Sequence, residues 1–142
     1  MKKSIYSLLL STLFFVSLVC SEDFEQRELV TFPEKMQKHM MSNMRNHLQT
    51  LNFILISMAN DELDQAADSA EKNLGMSSLK LHHASHMAKF MPKKMQQLGT
   101  NMHKAASRFA LKAQEGEAKP AYAALTEITA ACVACHASYR VK

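Results

Sequence analysis

Residues that turn a polypeptide chain are scarce in this sequence, and the scarcity limits the folds open to it. Only three Gly and three Pro occur among 142 residues, whereas a β-sandwich or β-barrel needs such residues at its many corners. Hydrophobic residues make up 47% of the chain, which is too many for a disordered protein. A chain of this length forms about one domain. The composition therefore predicts a single all-α domain.

Apolar residues recur at helical spacing in four stretches of the chain. The periodicity predicts helices at about 33–59, 61–74, 93–114 and 119–140. Prolines stand near three of the predicted starts, and glycines follow two of the predicted ends. Four amphipathic helices with short connections predict an antiparallel four-helix bundle. Residues 76–91 are either a continuation of the preceding helix or an ordered connection.

Methionine dominates the inward stripe that the periodicity predicts for the first helix. The stripe lies within an arc of about 120° and consists of Met36, Met40, Met44, Leu48, Leu51, Leu55 and Met58. Methionine at this spacing usually fills a core. His39 and His47 lie off the stripe, which predicts that they are surface residues. In segment 76–91, His82 and His86 have the spacing of a metal-binding pair on a helix, although a solvated or capping cluster is the simpler interpretation.

The start of the chain has the layout of a secretory signal peptide. Two lysines precede an apolar run from Ile5 to Val19, and acidic residues follow shortly afterwards. The run is shorter than the roughly 20 residues that a membrane-spanning helix needs. We therefore expect cleavage after Ser21, a mature domain of residues 22–142, and a periplasmic location of the Gram-negative type. Two alternatives stay open, a lipid anchor on Cys20 and an uncleaved membrane anchor.

The two cysteines left after such cleavage belong to the string Cys132-Val133-Ala134-Cys135-His136. This is C-x-x-C-H, the attachment signature of c-type haem. On a helix, both thiols can reach one porphyrin edge, and the adjacent imidazole can bind the iron. A redox pair or half of a zinc site is the alternative, but no second cysteine pair exists to complete a zinc site. The motif lies on the apolar stripe of the last predicted helix, with Leu125, Ile128, Cys132, Cys135, His136 and Tyr139.

Predicted helices that end in this motif resemble the class II cytochromes c, the family of cytochrome c prime and its low-spin, methionine-ligated relatives. The resemblance covers about residues 25–142 and is strongest at residues 131–140, where C-x-x-C-H is followed by Tyr139 and Arg140. It implies one covalently bound haem c between the helices, and it places Arg140 near a haem propionate. Taken alone, a basic residue at this position equally favours the C-terminus of a helix.

In this family the first helix supplies the distal side of the iron. Low-spin members carry a Met ligand there, followed by Asn three residues later and Arg five residues later. Asn43 and Arg45 stand at those positions relative to Met40, which implies that Met40 is the sixth ligand. Met40 also lies near the middle of the methionine stripe, whereas Met41 is turned about 100° away. The neighbours one turn away on the stripe stay open as alternatives, namely Met36 and Met44.

The implied ligand pair, His136 and Met40, predicts an electron carrier that is not an enzyme. Haem iron with both axial positions occupied has no open position for a substrate, and ligation by sulfur favours the reduced state of the iron. We expect transient redox-protein partners, no nucleic-acid binding, since no block of basic residues occurs, and membrane association only if the N-terminal segment is retained. A homodimer is compatible with the resemblance. The alternatives are a five-coordinate, cytochrome c prime-type protein that binds NO or CO, and a metal-binding module built on the histidines.

Overall fold

Five α-helices make up most of residues 26–142. The computed structural model describes residues 26–142, so the predicted signal peptide and Cys20 lie outside the described residues. The helices are α1 (Glu34–Ala59), α2 (Leu63–Asn73), α3 (Ala84–Ala88), α4 (Lys93–Gln114) and α5 (Ala118–Ser138), and a 3₁₀ turn, Met76–Leu79, lies between α2 and α3. The all-α prediction is confirmed. No helix within residues 26–142 has the length and apolarity needed to cross a membrane.

Proline and glycine stand at helix boundaries that the sequence predicts. Pro33 and Pro92 directly precede α1 and α4, and their carbonyl oxygens accept hydrogen bonds from the backbone N–H groups of Gln37 (2.9 Å) and Gln96 (3.0 Å). Proline suits a helix start because it lacks an N–H group that would need an intrahelical partner. Gly116 follows α4 with φ at +82°, a left-handed conformation that glycine adopts without strain and that ends the helix.

Small side chains fill the core at one end of the helical assembly. We call this cluster the alanine-rich core; its buried members are Ile54, Met58, Ala66, Ala67, Ala70, Leu74, Met102, Ala105, Ala106, Phe109, Ala110, Ala113, Ala121, Ala124, Leu125 and Ile128. Here α4 packs against both α2 and α5, and α1 packs against α2. Short alanine side chains let the helices approach closely. The helices therefore pack tightly here around a few large side chains such as Phe109.

The other ends of α1, α4 and α5 meet in a second apolar cluster, which we call the methionine cluster. Its buried members are Val30, Phe32, Met40, Met87, Met95 and Tyr139, and the half-buried Met36, Met44, Met91, Leu98, Cys135 and Val141 pack against them. Methionine is unbranched and flexible, so it fills irregular spaces between elements. The cluster therefore joins the start of α1, the α3 segment, the start of α4 and the end of α5.

Two short parallel strands connect the beginning and the end of the described chain. β1 (Glu28–Val30) pairs with β2 (Tyr139–Val141), and Leu29 lies opposite Arg140. The helix predicted at about 119–140 therefore ends at Ser138, before Tyr139. The ring of Tyr139 is nevertheless buried, because the strand pairing places it on the methionine cluster.

The buried face of α1 differs from the stripe that its periodicity predicts. The prediction is right for Met40 and Met58, and wrong for Leu48 and Leu55, which are 69% and 49% exposed. It is also wrong for His47, predicted at the surface but only 9% exposed. The buried face is partly polar, with Met40, Asn43, His47, Thr50, Ile54, Ser57 and Met58. Periodicity could not identify it, because buried polar residues read as solvent-facing until their partners are known.

Candidate functional site

The two cysteines of the C-x-x-C-H motif lie in the last two turns of α5, where the two apolar clusters meet. Both are free thiols and both are half-buried. Cys132 packs against the alanine-rich core, and Cys135 packs against the methionine cluster. A spacing of three residues places both side chains on one side of the helix. The pair therefore borders the interior of the protein at the boundary between its two packed regions.

The electrostatic environment keeps both thiols protonated. Burial raises the pKa of Cys132 and of Cys135, and the neighbouring Cys132 raises the pKa of Cys135 further. The C-terminal part of a helix also disfavours a negative charge. Redox-active cysteine pairs have the opposite environment, with a lowered pKa at a helix N-terminus. The site therefore lacks the features of a thioredoxin-like pair.

His136 follows the second cysteine directly, and its side chain is exposed in the last turn of α5. The His136 carbonyl oxygen accepts a hydrogen bond from Arg27 Nη1 at 3.4 Å, which links this turn to the segment before β1. The exposed imidazole is accessible to a planar group attached at the neighbouring cysteines. A metal could therefore bind His136 without a core side chain having to leave its place.

Met40 is the buried methionine of the predicted ligand set. Its side chain is 7% exposed and belongs to the methionine cluster, against which Cys135 also packs. Met36 and Met44 lie in the same cluster but are only half-buried. Met41 is 43% exposed, in agreement with the angle that separates it from the predicted stripe. The structure thus brings Met40 and Cys135 into one cluster although they are far apart in sequence.

Arg140 lies in β2, directly after the buried Tyr139. Its Nε atom is buried and has no hydrogen-bond acceptor among residues 26–142. A buried guanidinium N–H without an acceptor is costly, and a carboxylate is the group that a guanidinium binds best. Arg140 is therefore suited to bind an anionic group at this end of α5.

The residue set fits a c-type haem better than it fits a zinc ion. It contains two neighbouring thiols, an exposed imidazole, a buried thioether and a guanidinium whose buried Nε–H has no acceptor among residues 26–142. These groups match the attachment points, the two axial ligands and the propionates of one haem. A structural zinc ion requires about four ligands. Within residues 26–142, no three or more His, Cys, Asp or Glu side chains are arranged to hold a metal ion.

A group of buried histidines next to Met40 was not evident from the sequence. His47 of α1, His82 of the α2–α3 connection and His103 of α4 are 9%, 7% and 8% exposed, and their rings pack against one another at tilted or edge-on angles. The predicted pair of His82 and His86 is not formed on one helix, because His83 adopts a left-handed conformation between them and His86 is exposed.

The sequence contains only a weak signal for this group. In α1, Asn43, His47 and Thr50 recur at helical spacing beside the methionine stripe, but a polar stripe by itself is typical of a solvent-facing surface. Nothing in the sequence relates this stripe to His82 or His103, because those residues lie in other elements. Only the packing of those elements brings the three imidazoles together.

Comparisons with known proteins do not extend this assignment. No protein-family model, no curated protein and no solved structure matches the chain.

Proposed function

We propose that this protein is a monohaem c-type cytochrome that carries single electrons. The proposal rests mainly on the C-x-x-C-H motif at residues 132–136, whose half-buried, protonated thiols border the cluster that contains Met40. In haem attachment, each thiol adds its S–H across a haem vinyl group, and the resulting thioether is uncharged and suits an apolar environment, whereas a redox pair or a zinc site depends on a stabilised thiolate.

The proposed architecture is an antiparallel four-helix bundle of the class II cytochrome c type. Its helices are α1, α2, α4 and α5, and all four contribute to the alanine-rich core. The haem site lies at the other end, where α1 and α5 contribute Met40 and Cys135 to the methionine cluster. In such bundles, cofactors bind in the core between facing helices.

Each residue of the site has a distinct task in this proposal. Cys132 and Cys135 attach the haem through thioether bonds, and the exposed imidazole of His136 is the proximal ligand. Met40 is the distal ligand, and Arg140 donates its unused N–H to a propionate. Bound haem supplies one-electron chemistry at its iron. The chain supplies a soft sulfur that favours the reduced state, and a dry environment that excludes water from the distal side.

The remaining assignments follow from this function. The start of the sequence has the layout of a signal peptide, so we propose that residues 1–21 are removed on export. The haem is then attached to the mature domain in the periplasm. Partners are redox proteins that bind transiently. The outer side of the motif is exposed and apolar, with Val133 at 67% exposure, which suits a small and short-lived contact.

The attachment is tested on protein produced in cells equipped for cytochrome c maturation. Mass spectrometry of the denatured protein is expected to show the chain from Glu22 plus one haem, and Cys132→Ala is expected to reduce covalent haem. Val133→Ala is the control, since it alters an exposed residue between the cysteines and keeps both thiols. A colourless protein without added mass would refute the proposal.

The axial ligand is tested with Met40→Ala and the matched control Met41→Ala. Met40→Ala should convert the ferric iron to high spin and allow the ferrous iron to bind CO, because the sixth position is then open. Met41→Ala should keep the low-spin spectrum, because that side chain is largely exposed. A wild-type protein that is already high-spin and binds CO at once would show the five-coordinate, gas-binding function instead. An unchanged spectrum in Met40→Ala would assign the ligand to another residue.

A further inference from the structure

Basic and acidic side chains are distributed unevenly between the two ends of the helical assembly. Residues 26–44, 84–98 and 132–142 contain the members of the methionine cluster and form its end of the protein. These segments carry eight basic and two acidic side chains, whereas the rest of the described chain carries seven basic and eight acidic ones. The excess positive charge of residues 26–142 therefore lies at the methionine-cluster end.

Five exposed lysines at this end form no ion pair with residues 26–142. We call them the lysine patch; they are Lys35, Lys89, Lys93, Lys94 and Lys142. The exposed Lys38 nearby pairs with Glu34. In the rest of the described chain, three basic side chains have acidic partners, namely Lys72, Arg108 and Lys112. Because the charges of the lysine patch are not cancelled by neighbours, their field extends into the solvent.

The buried ring of Phe32 brings the lysines of the patch together from three parts of the chain. The ring centroid of Phe32 lies 6.1 Å from that of Phe90, which holds the corner between α3 and α4 against the segment before α1. The backbone N–H of Lys142 donates to the carbonyl oxygen of Val30 at 3.3 Å, so the end of the chain lies beside the same segment. Lys35 follows in the first turn of α1. The five lysines therefore border one continuous surface.

Helix stability does not explain the positions of three of these lysines. Lys35 lies in the first turn of α1, and Lys93 and Lys94 begin α4, which has no acidic residue in its first turn. The N-terminus of a helix carries a partial positive charge, so a cation there is unfavourable and an anion is favourable. These three lysines oppose the helix dipoles instead of stabilising the helices.

The lysine patch lies next to the region in which we place the haem. Phe32 is a buried member of the methionine cluster, which also contains Met40 and against which Cys135 packs. Arg140, assigned above to a haem propionate, precedes Lys142 by two residues at the end of the chain. A protein bound to the lysine patch would therefore lie beside the edge of the haem that carries the propionates.

We propose that the lysine patch docks an acidic surface of a redox protein, and this inference rests on the electron-transfer function proposed above. Attraction between opposite charges speeds the encounter and orients the two proteins, whereas exposed charge pairs screened by water let them separate quickly. Binding to an anionic membrane would instead need a broad apolar face beside the basic residues. Phe90 and Leu29, each 41% exposed, are too few for such a face.

The docking surface is tested by calorimetric titration of the holoprotein from Glu22 with poly-L-glutamate at low ionic strength. Lys93→Glu/Lys94→Glu is expected to weaken binding by about tenfold or more, because it reverses two charges of the patch. Thermal unfolding should show an unchanged or higher midpoint, since glutamate suits the start of α4. Lys104→Glu/Lys119→Glu is the control; it changes the net charge equally at two exposed lysines outside the patch and should keep most of the affinity.

The position of the patch beside the haem is tested by stopped-flow oxidation of the reduced holoprotein. Each ferricyanide ion takes one electron from the ferrous haem. Its rate constant is expected to fall about fivefold as the ionic strength rises from about 0.01 M to 0.2 M, because salt screens the attraction of this anion to the patch. The cationic oxidant tris(phenanthroline)cobalt(III) should react faster as salt is added. Lys93→Glu/Lys94→Glu should weaken both salt dependences, and Lys104→Glu/Lys119→Glu should retain them.

The outcomes separate this inference from the proposed function. A protein without haem would refute the electron-transfer function, and the redox partner proposed here would fall with it. A haem-containing protein that does not bind poly-L-glutamate, or that binds it equally in Lys93→Glu/Lys94→Glu, would overturn the docking surface alone. So would a ferricyanide rate that does not depend on salt. Sedimentation with vesicles of phosphatidylglycerol and phosphatidylcholine at about 0.15 M salt is expected to show no binding, and tight binding would assign the patch to a membrane instead.

Discussion

The alanine-rich core and the methionine cluster are built on opposite packing principles. The first consists largely of short alanine side chains around Phe109, Ile54 and Ile128, each of them fully buried. The second combines flexible methionines with a free thiol, lies beside a cavity of about 320 Å³ and is bordered by buried histidines, one of which has a ring nitrogen without a hydrogen-bond partner in the described part of the chain. Close-packed regions give stability, whereas adaptable regions with unsatisfied polar groups accommodate ligands. The comparison agrees with the proposal that one end of this protein stabilises the fold and the other end binds the haem.

The largest effect on stability is expected from Phe109→Ala in the alanine-rich core. The side chain is 0% exposed, and its removal leaves a cavity among alanines that are too short to fill it. We expect a loss of about 3–5 kcal/mol in the free energy of unfolding. Urea unfolding followed by circular dichroism measures it. Leu111→Ala, on the same helix but 64% exposed, is the control and should change stability by no more than about 0.5 kcal/mol.

A second effect should appear at the other end of the protein when the pH is lowered. The pKa of His47 is about 3 in the folded protein, whereas an unfolded histidine has a pKa of about 6.5. Between these values the unfolded state binds more protons, so stability falls as the pH falls. The histidines that face His47 are His82 and His103, and His39 faces His82, so protonation of any of them adds to the repulsion.

For His47 alone, we expect a loss of about 2 kcal/mol between pH 7 and pH 5. Urea unfolding at both pH values measures the loss, and His47→Leu should reduce it. If His47→Leu unfolds with the same pH dependence as the wild type, the buried imidazole is not its source. Variants of the alanine-rich core, such as Phe109→Ala, should retain the wild-type pH dependence, because that core contains no histidine.

A smaller effect on stability is expected when Met40 is replaced by Leu, although the effect on the spectrum should be complete. Leu has a similar volume, and a volume-conserving exchange in a pliable cluster costs less than about 1.5 kcal/mol. The sulfur is lost, however, so the proposed distal bond cannot form and the iron should become high-spin. Thermal unfolding and absorption spectra of the same sample separate the two effects. A large loss of stability with an unchanged spectrum would mean that Met40 only fills space.

The smallest effect is expected at the ion pair between Arg108 of α4 and Glu127 of α5, outside the alanine-rich core. Arg108 donates from Nε at 3.0 Å and also from Nη2 to the same carboxylate oxygen. Both side chains are more than half exposed, at 54% and 52%, so water screens their attraction. Glu127→Gln should lower stability by less than about 1 kcal/mol. A double-mutant cycle with Arg108→Gln gives the coupling, and a coupling of several kcal/mol would contradict a core held by packing.

The two regions also differ in how far the sequence reveals them. Helices α2 and α4 agree with their predicted ranges to within two residues, because Ala, Leu and Met recur there at helical spacing and Pro92 and Gly116 mark boundaries. The C-x-x-C-H motif is equally easy to recognise in the sequence, since its chemistry requires a fixed local spacing. These features depend on residues close together in the chain.

The sequence by itself determined the all-α class, the main helices and the local motif of Cys132, Cys135 and His136, because short-range spacing and backbone propensity specify them. Only the tertiary structure decided which face of α1 is buried, how β1 pairs with β2, and that His47, His82 and His103 meet. Leu48 and His47 are adjacent in α1. A prediction from hydrophobicity alone buries Leu48, whereas the structure buries His47. The burial of His47 depends on partners more than 30 residues away, and no local pattern contains that information.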